Sequence, residues 1–168
     1  MGFNSLKDVL QEELEDLYSA ETQLVGALPK MAQAAHNEQL RDAFQTHLEE
    51  TRGHVNRVEE ALQELGVSMP TEVCKAMQGL IAEGEEIIEM GGDPTAMDAA
   101  LIAAAQRVEH YEIAAYGTAR QLADDCGFDG IRDLMDQTLD EESQADKLLT
   151  TIATGGMFKA GVNQQATS

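Results

Sequence analysis

Glu50 and His54, in the stretch "EETRGHV", stand four residues apart in a segment that otherwise reads as one long helix. That spacing puts a carboxylate and an imidazole on one helix face, and it is the face on which apolar or small residues return. Glu21, Glu112 and Glu142 likewise interrupt apolar repeats, and Asp146 follows Glu142 by four. A carboxylate in an apolar interior costs on the order of several kcal/mol or is forced to keep a proton, and five on one level repel each other. Two divalent cations would bring +4 against the −5 of Glu21, Glu50, Glu112, Glu142 and Asp146, while neutral His54 adds a nitrogen ligand. Lys and Arg number only 11, and Arg52, Arg57 and Arg107 fall off the repeats. Oxygen donors with one imidazole suit iron or manganese, with zinc as a substitute; a structural zinc site would favour Cys or more His. Glu109, three residues before Glu112, is a sixth carboxylate ligand or an outer acceptor.

These residues need rods to hold them. The first long helix starts near Asn4 or Ser5 and carries the repeat Leu10, Leu14, Leu17, Glu21, Leu24, Leu28, Met31, Ala35, whose alternating steps of four and three keep one stripe against neighbouring helices. Pro29 lies inside it and is expected to kink the helix rather than end it, because the stripe continues in phase beyond. After "HNEQ" a second helix from about 38 to 65 carries Leu40, Ala43, His47, Glu50, His54, Val58, Ala61 and Leu65. Residues 71 to 90 predict a shorter helix, stopped by "GGDP", where Asp93 caps and Pro94 opens a third long helix. Its stripe is Leu101, Ala105, Val108, Glu112, Ala115, Ala119, Leu122 and Cys126. "GFDG" turns the chain into a fourth, from about 131 to 154, through Ile131, Met135, Thr138, Glu142, Ala145, Leu149 and Ile152.

Two short turns and one long connection predict an all-α, ferritin-like four-helix bundle: two antiparallel hairpins joined by a crossover with a short extra helix. Residues 1–154 form that domain, and 155–168, which lack periodicity, form a mobile tail. The two halves also echo each other. Glu21 to Glu112 is 91 residues, while Glu50 to Glu142 and His54 to Asp146 are each 92. Counted from the turns, all six side chains reach similar heights at 1.5 Å per residue. Tyr18 and Tyr116 can reach that level too. His47 is a core or outer histidine, His36 caps a helix end and His110 faces away.

Composition sets the remaining bounds. A formal charge of −20 repels nucleic acid. Cys74 and Cys126, with no metal-binding spacing, read as isolated thiols. No targeting segment or membrane span is evident, so the chain is expected in the cytoplasm.

The segments "DLYSAETQLVGALPKMAQAA", "HLEETRGHVNRVEEAL", "CKAMQGLIAEGEEIIE", "RVEHYEIAAYGTARQLA" and "LDEESQADKLL" together resemble the YciE/YciF-type family of ferritin-like stress proteins, over about residues 5 to 153. The resemblance implies a bacterial, cytoplasmic, usually dimeric bundle with a dinuclear metal centre and a link to stress responses. Ferritin-like helices usually offer Glu-x-x-His, whereas this chain has Glu50 and His54, and Glu142 and Asp146, at spacings of four. Two functions are expected of such a centre. One is a di-iron or di-manganese oxidase or peroxidase-like reaction with O2 or H2O2; the other is a metal-stapled structural or interaction protein without catalysis.

Overall fold

The computed structural model describes residues 2–156 and 159–167. Four long helices, α1 (Leu6–Ala34), α2 (Glu38–Leu65), α4 (Pro94–Cys126) and α5 (Asp129–Thr154), form two hairpins, and α3 (Lys75–Met90) lies in the crossover between them. Within the bundle α1 packs on α2 and α4, and α5 packs on α2 and α4, while α3 lies across α1 and α4. Ferritin-like topology follows from the loop lengths, since a three-residue turn allows only an antiparallel return.

Local signals start and stop the rods where the chain needs them. Ser5 caps α1 reciprocally: its hydroxyl accepts from the Asp8 N–H at 3.2 Å and the Asp8 carboxylate accepts from the Ser5 N–H at 3.0 Å. Asn37 caps α2 and Asp93 caps α4, with Pro94 in the first turn. Gly66 and Gly127, at φ of 77° and 76°, end α2 and α4 in the left-handed conformation that only glycine adopts at low cost. The α1 helix runs through Pro29 unbroken.

The crossover helix begins four residues later than its sequence predicts. Cys74 explains the shift: its backbone N–H donates to Ser19 Oγ at 2.8 Å, its thiol accepts from the Met77 N–H, and Tyr111 donates to Asp16 at 2.5 Å beside it. This buried knot pins the start of α3 to α1 and α4, and residues 71 to 73 stay outside the helix.

Beyond α5 the aperiodic segment has structure that periodicity could not reveal. β1 (Gly155–Gly156) pairs antiparallel with β2 (Lys159–Ala160), and α6 (Val162–Gln165) follows. Gly155, at φ 76°, lies so close to Gly161 that a Cβ would stand 2.3 Å from its nitrogen. That tight crossing folds the chain back and buries Val162 in the apolar cluster between α4 and α5. No helix among the described residues is long and apolar enough to cross a membrane.

The core is divided in two. One cluster holds Leu24, Leu28, Leu40, Phe44, Leu101 and Leu149; the other holds Leu10, Leu14, Leu17, Val58, Tyr116, Ile131 and Met135. Between them, on every long helix, lies a layer of polar side chains.

Asp98, on α4, anchors the first hairpin by accepting from the backbone N–H groups of His36 and Asn37 at 2.8 and 2.7 Å. Asp98→Ala leaves both donors without a partner, and urea unfolding is expected to show a loss of about 2 to 3 kcal/mol.

Candidate metal centre

Six buried side chains make up the polar layer: Glu21 from α1, His47 and His54 from α2, Glu109 and Glu112 from α4, and Glu142 from α5. They fall into two groups that could each hold a metal ion. Ligand atoms of His47, Glu109, Glu112 and Glu142 lie within 4.8 Å of one another, and so do those of Glu21, His54 and Glu142. Glu142 belongs to both. Its Oε1 lies 2.9 Å from His54 Nδ1 and its Oε2 lies 3.6 Å from His47 Nε2. His47 Nε2 is 3.4 Å from Glu109 Oε1, and His54 Nδ1 is 3.4 Å from Glu21 Oε1.

The layer does not satisfy itself. Among the described residues, nine buried side-chain N or O atoms make no hydrogen bond of good geometry, and all but Arg120 Nε belong to these six residues; two of them, His54 Nδ1 and Glu142 Oε1, face each other as an ion pair at 2.9 Å. Native interiors leave few such atoms, and a concentration of them calls for an occupant such as water or an ion. Burial, reinforced by the neighbouring carboxylates, pushes Glu109 and Glu112 well above the usual carboxylate range. Burial also raises Glu142, although His54 pulls against it. For His54, burial favours the neutral ring, but Glu142 and Glu21 outweigh it and raise the imidazole to about 10. His47 is raised in the same way, with Glu109 overcoming the effect of burial. The side chains therefore crowd more negative charge than they can neutralise, and four carboxylates match the charge of two divalent cations. The donor set of carboxylate oxygens with two imidazoles fits such ions.

A second ring of contacts orients these groups. His54 Nε2 lies 2.9 Å from Glu141, which Arg57 grips through both guanidinium nitrogens at 2.7 and 2.9 Å. The opposite ring nitrogen, Nδ1, faces Glu21 and Glu142. His47 Nδ1 lies 3.4 Å from Glu50, leaving Nε2 aimed inward. Tyr116 donates to Glu21 Oε1 at 2.5 Å, which leaves Oε2 for the interior. Carboxylate–histidine pairs of this kind fix the tautomer and direction of metal ligands.

Of the residues singled out in the sequence, Glu21, His54, Glu109, Glu112 and Glu142 come together here. Glu50 and Asp146 take other positions. The Glu50 side chain is 39% exposed and lies on the outer side of His47. Asp146, 22% exposed, sits 3.2 Å from His110 Nε2 and accepts from Gln106. His47, expected as a core or outer histidine, is inside the layer. Tyr116 reaches it, while Tyr18 bonds Glu59 instead.

The cause is a phase error of one residue. The buried face of α2 runs Leu40, Phe44, His47, Thr51, His54, Val58, Ala61, Leu65, the strict alternation of four and three seen in α1. The predicted stripe, through Ala43 and Glu50, needed two successive steps of four. A constant offset of 91 then carries the α2 face onto Ile131, Met135, Thr138, Glu142, Ala145, Leu149 and Ile152. In that register Thr51 matches Glu142 and His54 matches Ala145, so Asp146 is not the counterpart of His54. Glu141 and Arg57 gave no periodic signal, because they are partly exposed and act from the rim.

A four-helix bundle with buried carboxylates and imidazoles from all four long helices defines a ferritin-like protein with a candidate metal centre. The chain belongs to the family described as "Domain of unknown function (DUF892)", whose model matches residues 5–167. It is 44% identical over 165 residues to Protein YciF of Escherichia coli (strain K12), covering 98% of this chain and 99% of that protein. The crystal structure of the E. coli stress protein YciF matches with a TM-score of 0.85 and 46% identity, over 88% of this chain and 94% of that one. YcfI from Rhodopseudomonas palustris matches with a TM-score of 0.86 and 40% identity, over 89% and 96%.

The raised carboxylates set a pH dependence. As pH rises through the ordinary carboxylate range, unfolded chains ionise while folded Glu109, Glu112 and Glu142 still hold protons, so folding loses stability until the raised pKa values are passed. Thermal melts of chelator-treated protein are expected to fall as pH rises above the ordinary carboxylate range, and saturating Mn(II) to offset the fall.

Proposed function

We propose that this is a dinuclear carboxylate protein holding two iron ions, with manganese as the alternative, that consumes O2 or H2O2 in protection against stress. The observation that carries this reading is the set of eight atoms without a hydrogen bond of good geometry on six buried side chains from four helices. His47 Nε2, Glu109 and Glu112 would hold one ion, Glu21 and His54 Nδ1 the other, and Glu142, common to both groups, would be shared. When bound, two ferrous ions supply one electron each, so that O2 with two protons leaves as H2O2, or H2O2 with two protons leaves as two waters.

The chain's own contribution is orientation and proton control. With an ion bound, Glu141, held by Arg57, would hold the remaining His54 proton on Nε2, and Glu50 the remaining His47 proton on Nδ1, so that Nδ1 of His54 and Nε2 of His47 face inward as donors. Tyr116 Oη keeps a proton against Glu21 Oε1, with burial and that carboxylate both raising its pKa. The apolar clusters above and below the layer shut off water along the bundle axis. Likeness to a protein called a stress protein supports the protective role.

Anaerobic titration with Fe(II) tests the site. Two ions per chain are expected for the wild type and fewer for Glu142→Gln. Glu50→Gln is expected to keep the stoichiometry while binding about tenfold or more weakly. Stopped-flow mixing of the iron-loaded protein with O2 or H2O2 tests the activity. Turnover no faster than free iron would refute it and leave a metal-stapled bundle.

A further inference from the structure

A narrow cavity of about 40 Å³ lies beneath α3. Leu28, Met31, Phe44, Leu80, Ile81 and Val108 are among its walls, so nearly all of its surface is hydrocarbon. At its outer end, Lys30 and Glu85 meet in an exposed ion pair at 2.6 Å. At its inner end are His47 and Glu109, whose Nε2 and Oε2 atoms are buried and unpartnered. Gly84 is the point where α3 passes over α1: a Cβ there would meet only Met31 Sδ, at 3.7 Å, so the space stays open. A second cavity, of about 290 Å³, reaches the same His47 and Glu109 from between α2 and α5. Its lining includes Thr46, Glu50, Glu141 and Gln144, which gives it the polar partners the first lacks.

We infer that the cavity beneath α3 binds dioxygen and conducts it to the His47–Glu109 side of the centre, while cations and hydrogen peroxide use the polar cleft between α2 and α5. Polarity selects the occupant. A water needs two to four polar partners, and the walls provide them only at the two ends, Lys30 with Glu85 outside and His47 with Glu109 inside, leaving the stretch between as hydrocarbon. An apolar molecule of two atoms loses nothing on entering hydrocarbon walls and gains over its cost in water. Two unpartnered ligand atoms at the inner end put that guest beside the groups proposed to hold iron. This inference rests on the proposed function, whose substrate it narrows to O2 for this route.

Xenon, an apolar gas atom, probes the cavity without metal or turnover. Crystals of chelator-treated protein under xenon pressure are expected to show a peak between Met31, Ile81 and Val108, absent in Gly84→Leu. Should Gly84→Leu fail to fold, Leu80→Phe fills the same space from a different position on α3. With iron loaded, the plugged variant is expected to lower the ratio of the O2 rate to the H2O2 rate by about tenfold or more. No xenon peak in the wild type, or an unchanged ratio in a variant that has lost the peak, overturns the inference. Failure of the proposed function shows up separately, in an iron titration with no binding, a result that leaves the xenon map unaffected.

Discussion

Burying four carboxylates and two imidazoles in one layer of a helical bundle is the constraint that shapes the rest of this molecule. Each charged group taken out of water carries a penalty that hydrogen bonds or opposite charge must offset. Here the four helices bring acids together from four directions, and the two histidines cannot balance them. The outcome is a layer of unpartnered atoms between two well-packed apolar clusters. Such a layer weakens the protein unless cations complete it, so stability and metal affinity are two sides of one equilibrium.

The surroundings of the layer serve this arrangement. Glu141 and Arg57 form a paired unit behind His54, and there the ordinary order of pKa effects returns: burial would raise Glu141, but Arg57 and His54 hold it below the carboxylate range. It can therefore stay ionised and accept the His54 proton. Glu50 stands beside His47 Nδ1 from a half-exposed position. Tyr116 closes the other side of Glu21. At one end Asp98 fixes the α1–α2 turn, and the Cys74, Ser19, Asp16 and Tyr111 contacts fix the start of α3. The two helical hairpins are thereby held in a register that aligns ligands from all four rods.

Much of this was legible in the chain. Long apolar repeats, capping residues and two short turns with one long connection specify the four-helix topology, because each is a local signal that tertiary packing reinforces. Glu21, Glu112 and Glu142 stood out for the same reason: they occupy positions at which a repeat demands an apolar residue. The α2 positions were harder. Glu49 and Glu50 are adjacent, and a helix face is wide enough that a shift of one residue exchanges Glu50 for Thr51 without breaking the pattern. Only the strict alternation shared with α1 separates them. His47 was discounted because histidine is common in cores, and its role depends on Glu109 and Glu142, which come from distant parts of the chain. Glu141 with Arg57, and the folded segment after α5, depend on contacts that carry no periodic signature.

Anomalous diffraction from crystals of the protein prepared with Fe(II), recorded on both sides of the iron absorption edge, tests the metal assignment most directly. Two peaks are expected inside the bundle, one among His47, Glu109, Glu112 and Glu142 and one among Glu21, His54 and Glu142. A map with no peak in the layer, or with iron only on the acidic exterior, would contradict it.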